Sequence, residues 1–312
     1  MRRKVRTPLC QSAVIYENRL HDGEIAIFLF HGVIEPSTCA VRNYTRKHID
    51  VDYFATVLRN LKVHGNPVSM EEIRQHYENS QPLPPRAFSV TFDDGFENNL
   101  TVAAPVLMAE KVPATFYITT GLVDSNRMGW IDRIEYAIEM CPRGSLRLPW
   151  GERAFNSDDD CKELLNEIRK RVKHDSSVDD DMLATNIQEQ LGIPTTFVND
   201  HPLDRKLTWT QVKLLDSEPS FIVAGHSHTH RILEHLPDVE LEEEIDTSLR
   251  LLKEKAGIQS CHYSYPEGLS FCYSDRVISV LKRRGVRCCP SAEDGTNGQR
   301  ADLFHLRRIM VT

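Results

Sequence analysis

The sequence lacks any long hydrophobic run. Its longest uninterrupted apolar stretch, Ile25 to Phe30, has six residues, whereas a helix that crosses a bilayer needs about 18 or more. A secretory signal is not expected either. The basic residues between positions 2 and 6 are followed only by the short apolar stretch 13–16, and a signal needs about 7 to 15 apolar residues. We therefore expect no transmembrane segment and a cytoplasmic location.

Positive charge is not in excess. The chain has 312 residues with 38 Lys plus Arg against 45 Asp plus Glu, which gives a formal net charge of −7. Proteins that bind the nucleic-acid backbone usually carry basic surfaces, so we expect no nucleic-acid partner. With 40% hydrophobic residues, the composition is that of a globular chain with a large core. It leaves the oligomeric state open.

Cysteine motifs are also missing. The eight cysteines include no C-x-x-C pair, and they are too sparse for a disulfide framework in a chain of this length. We expect them to be free thiols in a reducing compartment, most of them buried as small apolar side chains.

Short β-branched or aromatic runs alternate with amphipathic helical patterns along most of the chain. Strand followed by helix, repeated, predicts an α/β fold with a mostly parallel sheet and helices packed outside it. The predicted strands are residues 25–30, 88–92, 115–119, 221–224, 262–265 and 286–289, and the predicted helices are residues 50–62, 70–77, 98–110, 131–139, 209–216, 239–255 and 274–284.

Residues from about 130 to 204 interrupt this alternation. No convincing strand pattern is evident there, whereas apolar residues recur at helical spacing from Cys161 to Val172 and from Leu183 to Leu191. Acidic clusters at 158–160 and 179–181 suit the starts of two helices. We predict a helical insertion or lid within a single domain that spans residues 1–312.

An acidic pair follows the second predicted strand directly. Asp93 and Asp94 come next to Gly95, and the carboxyl ends of parallel strands are where ligands bind in α/β folds. Two adjacent acids repel each other, and a nearby cation is the usual remedy. On its own, the D-D-G sequence also fits an ordinary turn.

Two histidines follow the strand predicted at 221–224. If the chain turns helical there, His226 and His230 lie on one face at i and i+4, a spacing that lets two imidazoles reach one metal. His228 then points elsewhere. Two imidazoles and one carboxylate leave coordination positions open, as in catalytic zinc sites. We expect one divalent metal ion, zinc first, with iron, cobalt, nickel or manganese as alternatives.

In combination, T-F-D-D-G at residues 91–95 and H-S-x-x-H at residues 226–230 resemble the first two motifs of the polysaccharide deacetylases, the NodB-homology group known as carbohydrate esterase family four. Apart from the insertion, the resemblance reaches from about residue 25 to the C-terminus. It implies a distorted (β/α)7 barrel that removes acetyl groups from N-acetylated sugars with a bound divalent metal. Carried over by position, it makes Asp93 the general base and Asp94, His226 and His230 the metal ligands.

The segment S-Y-P-E-G at residues 264–268 resembles the family's third motif, which forms one wall of the substrate groove. By that match, Tyr265 and Pro266 line the groove and the backbone N–H of Glu267 is the oxyanion donor. The side chain of Glu267 is expected to be solvated. Many relatives begin this motif with an arginine that orients the catalytic aspartate, whereas this chain has Ser264 there.

The family's usual leucine-x-histidine motif, whose imidazole protonates the leaving amine, is not found near the C-terminus. L-F-H-G-V at residues 29–33 instead resembles a motif of family members whose motifs are circularly permuted. We therefore predict His31 as the general acid, because an amine leaves poorly without one. His305 is the rival for this role.

Two further groups of residues receive weaker predictions. Trp130, at the start of the insertion, is a substrate-binding candidate that would stack on a sugar, although buried packing is the commoner role for such a residue. Arg307 and Arg308, near the C-terminus, could contact a phosphate or a carboxylate, but surface ion pairs are the favoured expectation.

Taken together, the sequence predicts a metal-dependent hydrolase that removes the N-acetyl group from an amino sugar. A nucleotide-linked or lipid-linked polysaccharide precursor fits the expected cytoplasmic location better than a secreted polymer. The same site could serve a sugar N-deformylase or a cyclic-imide hydrolase. The chain could also be a non-catalytic carbohydrate-binding relative, although a pure binder has no need of Asp93, or a metal phosphoesterase, which commonly holds two metals.

Overall fold

The computed structural model describes residues 16–36, 39–125, 127–195 and 200–312. Cys10 and the basic residues near the N-terminus lie outside these ranges. In the described part, no helix is both long and apolar enough to cross a membrane. The elements in chain order are β1 Ile25–Phe30, β2 Gly32–Ile34, β3 His48–Asp50, α1 Val51–His64, β4 Asn66–Pro67, α2 Met70–Asn79, β5 Ala87–Phe92, α3 Ala104–Glu110, β6 Ala114–Ile118, α4 Trp130–Met140, β7 Gly144–Leu148, β8 Gly151–Phe155, α5 Asp158–His174, α6 Asp180–Gln190, α7 Trp209–Asp216, β9 Phe221–Gly225, α8 Asp238–Leu251, α9 Asp275–Arg283 and β10 Ile309–Met310.

A parallel sheet forms the centre of the molecule. Its strands lie in the order β10-β1-β5-β6-β9, and β4 pairs with the start of β5. Every residue of β1 and β5 is buried, as expected for parallel strands whose two faces are both covered. The predicted α/β class is therefore confirmed, and four of the predicted strands lie within one residue of β1, β5, β6 and β9.

Beyond β9, isolated bridges take the place of regular strands. The segment predicted as a strand at 262–265 bridges Gly225 at the end of β9, and the segment predicted at 286–289 bridges residue 262, both in parallel. The described strands thus form an open path from β10 to β9, and these two segments continue that path beyond β9. Both segments are extended next to the sheet, as predicted, but each forms a single bridge rather than a continuous ladder.

A row of phenylalanines fixes the register where the site begins. Phe30, Phe92 and Phe116 are partners on neighbouring strands β1, β5 and β6. Their rings stack with centroids 5.3 and 5.1 Å apart. Such cross-strand aromatic pairs stabilise a sheet. Phe30 and Phe92 are the last residues of β1 and β5, and Asp93 follows directly after Phe92.

The insertion has a hydrophobic cluster of its own. Helices α4, α5 and α6 pack around Ile134, Leu165 and Ile187. The insertion is helical as predicted, but between α4 and α5 lies the antiparallel hairpin β7–β8, where no strand was expected. The hairpin buries only Leu146, Leu148 and Phe155, a pattern too short to stand out in the sequence. The single-domain organisation and the lid role remain predictions.

Helix ends follow local signals. Thr208 caps α7 in a reciprocal capping box with Gln211, as the T-x-x-Q spacing predicts. Gly257 and Gly285 adopt the left-handed conformation, with φ of 78° and 85°. Gly257 follows the π-helical segment Leu252–Ala256 that continues α8, and Gly285 follows the cap residue of α9. The capping box starts α7, which ends at Asp216, shortly before β9. Strand β9 leads to the two histidines.

Candidate active site

The acidic pair lies at the carboxyl end of β5. The backbone N–H of Asp93 donates to the Phe30 carbonyl at 3.0 Å, which ties the turn to the end of β1. Asp94 and Gly95 then adopt positive φ values of 74° and 75°. Both aspartates are buried, at 3% and 6% exposed. A left-handed aspartate is uncommon and often marks a functional turn.

Asp94 lies against the two histidines. Its Oδ1 is 3.2 Å from Nε2 of His230 and 3.5 Å from Nε2 of His226. One ligand atom from each of the three residues lies within 4.8 Å of the other two. The fold thus brings together three side chains that are far apart in sequence, in the grouping that the two motifs imply.

The histidine loop is not helical, so the expected i, i+4 helical geometry is wrong. Ser227 and His230 both have positive φ values, 64° and 66°. The Ser227 hydroxyl accepts a hydrogen bond from the His230 backbone N–H at 2.8 Å. His228 points elsewhere, with Nδ1 3.0 Å from the Thr120 hydroxyl. Two left-handed residues, rather than a helical turn, bring the imidazoles of His226 and His230 to the same carboxylate.

The three residues fit a divalent cation. Oδ1 of Asp94 is buried and has no aligned hydrogen bond, although two imidazole nitrogens face it. Nδ1 of His226 lies 3.0 Å from the Ser264 carbonyl, so the proton on Nδ1 leaves the Nε2 lone pair facing Asp94. Two imidazole nitrogens and a carboxylate oxygen are a common zinc ligand set.

Asp93 is held by a buried arginine. Arg308 donates two hydrogen bonds to the Asp93 carboxylate, at 2.9 and 2.8 Å, and a third to the Ser264 hydroxyl at 3.0 Å. Burial would raise the pKa of Asp93, but the guanidinium outweighs it and holds the pKa below its usual value. Asp93 therefore stays ionised.

The expectation that Arg308 pairs at the surface is wrong, because this residue is fully buried. Arg308 directly precedes β10 and holds the Asp93 carboxylate. The resemblance expects that role of an arginine at the start of the third motif, where this chain has Ser264. A signal for the inward position of Arg308 was present in the sequence. Residues 304, 306 and 308 alternate with polar residues, and the first two are apolar, which places Arg308 on the inward face. Arg307, on the other face, is exposed.

A second cation neutralises Asp94. Lys47 Nζ lies 3.0 Å from Oδ2 of Asp94 and 3.3 Å from Oδ1 of Asp132 in the insertion. Burial alone would lower the pKa of Lys47, but these carboxylates raise it. Asp132 in turn has its pKa lowered to about 2, because Lys47 outweighs the effect of burial. Lys47 lies in a loop without a periodic pattern, so its role could not be predicted from the sequence.

Glu267 contacts the insertion rather than solvent, so the expected solvated side chain is wrong. Its Oε2 lies 2.6 Å from Nζ of Lys173 in α5. Burial would raise the pKa of Glu267, but Lys173 lowers it to about 2. Glu267 has a φ of 60°, and a Cβ at the following Gly268 would lie 2.7 Å from the Ala292 nitrogen. The turn therefore requires this glycine.

His31 follows β1 and lies beside the acidic pair. Its carbonyl accepts a hydrogen bond from the Asn99 side chain at 2.7 Å. Burial lowers its pKa to about 4, although Asp94 and Asp93 act in the opposite direction. The imidazole is therefore neutral at pH 7 before substrate binds.

The other groove residues are placed in packing positions. The Tyr265 hydroxyl donates to the Phe304 carbonyl at 3.1 Å, and its ring stacks on Tyr273 at 3.9 Å. Pro266 is buried next to it. The Tyr265 side chain is thus committed to packing against Phe304 and Tyr273.

The two weaker candidates lie apart from the acidic pair. Trp130 is 9% exposed and belongs to the hydrophobic cluster of the insertion. His305 is exposed, with Nδ1 3.2 Å from the Tyr273 hydroxyl. Within the described ranges, the structure gives neither residue a hydrogen bond or an ion pair with Asp93 or Asp94.

Comparison with known proteins identifies similar chains. The sequence profile of the family described as polysaccharide deacetylase matches residues 80–174 and 180–289. Poly-beta-1,6-N-acetyl-D-glucosamine N-deacetylase of Escherichia coli K12 is 24% identical in an alignment of 260 residues that covers 70% of this chain and 38% of that protein. The chain thus spans less than two fifths of the length of this curated relative.

Solved structures share the fold. IcaB from Ammonifex degensii superposes with a TM-score of 0.61 at 18% identity, covering 94% of both chains. The Streptococcus pyogenes deacetylase PplD, in complex with acetate, gives a TM-score of 0.59 at 16% identity over 93% of both chains. At these identities the likeness concerns the fold alone, and it agrees with the predicted (β/α)7-type arrangement.

Proposed function

Because the chain belongs to the polysaccharide deacetylase family, we propose that it is a metal-dependent hydrolase that removes the N-acetyl group from an amino sugar. One observation carries the proposal. Asp94, His226 and His230 meet within 4.8 Å, and Oδ2 of Asp93 lies 3.8 Å from Nε2 of His226. A base therefore stands directly beside a cation site.

The proposed ligands are Asp94, His226 and His230, and zinc is the first choice because imidazole and carboxylate ligands suit it. A divalent cation bound there would supply a Lewis acid that polarises the amide carbonyl and makes water more acidic. Lys47 holds Oδ2 of Asp94 and the Ser264 carbonyl holds Nδ1 of His226. These outer contacts orient the ligand atoms.

Asp93 is the proposed general base. Arg308 keeps its carboxylate ionised and fixes its plane through two hydrogen bonds, so Asp93 accepts a proton from the attacking water without reorienting. The Glu267 backbone N–H is the proposed donor to the oxyanion of the tetrahedral intermediate.

His31 is proposed to deliver the proton to the leaving nitrogen. Its imidazole is neutral in the resting site, because its pKa is about 4. A neutral imidazole cannot release a proton readily, so it must first gain one. The proton that Asp93 takes from water is the nearest source. His31 thus passes that proton to the leaving amine. Asp93 acts first, as the base, and His31 acts second, as the acid.

The proposed substrate carries N-acetylglucosamine. Support comes from the curated relative, which is named for poly-β-1,6-N-acetyl-D-glucosamine. The expected cytoplasmic location favours a nucleotide-linked or lipid-linked precursor of such a polymer over the secreted form. Cell fractionation would test the location, and a substrate panel would test the carrier.

The test is release of acid by the metal-loaded chain. The panel contains β-1,6-linked N-acetylglucosamine oligomers, the same sugar on nucleotide and lipid carriers, and matched N-formyl sugars. We expect acetate release that falls roughly 10²- to 10⁴-fold in Asp93→Asn, with bound metal retained. Unchanged release in Asp93→Asn would contradict the mechanism. Glycan binding without turnover in the unaltered chain would identify a non-catalytic binder.

A further inference from the structure

A second cluster of ionisable side chains lies outside the site described above. It comprises Glu71 in the first turn of α2 together with Cys261 and His262, and one polar atom from each lies within 4.8 Å of the others. His262 is buried at 3% exposed, whereas Cys261 and Glu71 are partly exposed. The deacetylase mechanism uses none of these three residues.

The carboxylate orients the imidazole. Nε2 of His262 lies 3.0 Å from Oε2 of Glu71, and a hydrogen bond at this distance places the ring proton on the Nε2 side. Nδ1 of His262 is buried and has no aligned partner. The thiols of Cys261 and Cys288 adjoin the ring. Burial would lower the pKa of His262, but these thiols and Glu71 outweigh burial and raise the pKa.

Cys261 is both accessible and activated. It lines a surface cavity of about 780 Å³ together with Ser260 and Gly285. The adjacent His262 imidazole lowers the pKa of the Cys261 thiol against the effect of burial, and the charge of Arg74 also lowers it. A thiol that is partly exposed beside a cationic imidazole has the features of reactive cysteines.

The arrangement suits an activated thiol better than a metal centre. The Glu71 carboxylate accepts hydrogen bonds from Nε of Arg74 at 2.8 Å and from Nε2 of Gln75 at 2.9 Å. A cation bound at Glu71 would therefore have to compete with a guanidinium already in place. The carboxylate–imidazole–thiol order is the one that activates cysteine nucleophiles.

We propose that Cys261 is a reactive thiol that small electrophiles, and hydroperoxides in particular, modify selectively, with His262 as its proton partner and Glu71 as the residue that orients His262. The thiolate sulfur attacks one oxygen of the hydroperoxide, so an S–O bond forms as the O–O bond breaks. The His262 imidazolium protonates the departing oxygen. Sulfur is oxidised by two electrons to a sulfenic acid, and the peroxide is reduced to water or an alcohol.

Alkylation rates at pH 7 test the proposal on the full metal-loaded chain. Substoichiometric iodoacetamide, followed by peptide mass mapping, gives the rate at each cysteine. Cys141 is the internal control, because it is also partly exposed and its thiol donates only to the Leu191 carbonyl. We expect Cys261 to react at least about tenfold faster than Cys141, and the two rates to converge in urea. Equal rates in the native protein would overturn the proposal.

Two variants separate activation from simple exposure. Glu71→Gln keeps the shape of the side chain and should reduce the Cys261 rate about three- to tenfold, and His262→Gln should bring it to the Cys141 rate. Thermal melting and acetate release verify that each variant is folded. If His262→Gln does not fold, Glu71→Gln alone decides: a rate unchanged from that of the unaltered chain contradicts the proposal.

Peroxide treatment gives the chemical product. A low concentration of hydrogen peroxide in the presence of dimedone, which traps sulfenic acids, should label Cys261 ahead of Cys141. The Cys261→Ser variant should lose this label while it keeps acetate release, because Cys261 lies outside the catalytic site. Labelling at Cys141 first, or at neither residue, would refute the assignment even if the deacetylase function holds.

Discussion

The strand-end loops and the insertion reach the same site in different ways. Strand-end residues are fixed by backbone hydrogen bonds to neighbouring strands, as with Asp93 on the Phe30 carbonyl at 3.0 Å and His226 on the Ile118 carbonyl at 2.9 Å. The insertion contacts the site through side-chain ion pairs, as with Lys173 on Glu267. Main-chain anchoring sets positions to within fractions of an ångström, whereas ion pairs depend on flexible side chains.

This difference suggests that the strand-end residues carry out the reaction, whereas the residues of the insertion adjust its rate. Substitutions at the strand ends are expected to abolish turnover, because they remove groups that meet the reacting atoms. Substitutions in the insertion are expected to change turnover only several-fold, because they loosen a contact that supports the site. Single substitutions in the two regions therefore distinguish residues that react from residues that support them.

Replacement of His31 tests the strand end of β1. His31→Gln removes the proton relay to the leaving amine, and we expect turnover to fall roughly 10²-fold or more with metal content unchanged. His305→Gln is the control for the rival residue and should alter turnover less than about twofold. Acetate release and metal analysis provide the readouts. Loss of metal in His31→Gln would mean that His31 is a ligand instead.

Replacement of Arg308 tests the support of the base. Arg308→Gln leaves the buried Asp93 without its cation, so we expect a stability loss of about 3 to 5 kcal/mol and turnover about 10- to 100-fold lower. Arg307→Gln, an exposed neighbour, should change neither.

The pH profile shows whether Arg308 acts through Asp93. Arg308 lowers the pKa of Asp93, so its removal raises that pKa and the base stays protonated to higher pH. In Arg308→Gln, the acidic limb of the pH profile of kcat/KM should therefore move to higher pH. A limb that does not move would indicate a purely structural role.

Replacement of Lys173 tests the insertion. Lys173→Met removes the ion pair with Glu267 and frees the turn that carries the proposed oxyanion donor. We expect kcat to fall about three- to tenfold with little change in metal content, since one loosened donor costs less than a lost base. Lys170→Met, an exposed position on the same helix, is the matched control. A loss above about 10³-fold would show that the insertion carries chemistry itself.

The smallest effect concerns acid stability. Glu267 has a pKa of about 2 in the folded chain against an ordinary 4.5. A lowered carboxylate pKa stabilises the fold above about pH 4.5, and that contribution disappears as the pH falls toward 2. The difference in melting temperature between the unaltered chain and Lys173→Met should thus be constant at neutral pH and shrink in this acid range. A difference independent of pH would contradict the ion-pair account.

Much of the sheet could be predicted because buried parallel strands have a strong sequence pattern. The run Ile25–Phe30 coincides with β1, and the motif after residue 92 lies at the end of β5. The family resemblance made Asp94, rather than Asp93, the ligand beside His226 and His230. That the acidic pair and the two histidines meet followed from their positions after two predicted strands, since parallel strands present their carboxyl ends at one edge. These signals are local, and local signals can be read from a sequence.

The unpredicted features depend on contacts between distant segments. Lys47 meets Asp94 only because its loop folds over the sheet, and Arg308 meets Asp93 only because β10 pairs with β1. The loop from Ser227 to His230 departs from a helix because its backbone bonds to its own hydroxyl and to Tyr263. The partners of Lys47 and Arg308 lie far away in sequence. The alternation at residues 304–308 indicates that Arg308 points inward, but it does not indicate Asp93 as its partner.

The central claim is that Asp94, His226 and His230 hold one divalent cation next to Asp93. The most direct measurement is metal content by mass spectrometry after zinc loading and dialysis, compared between Asp94→Asn and Asp93→Asn. We expect Asp94→Asn to lose one equivalent of zinc per chain relative to the unaltered protein, and Asp93→Asn to keep it. Full retention of zinc in Asp94→Asn, or equal loss in both variants, would contradict the account.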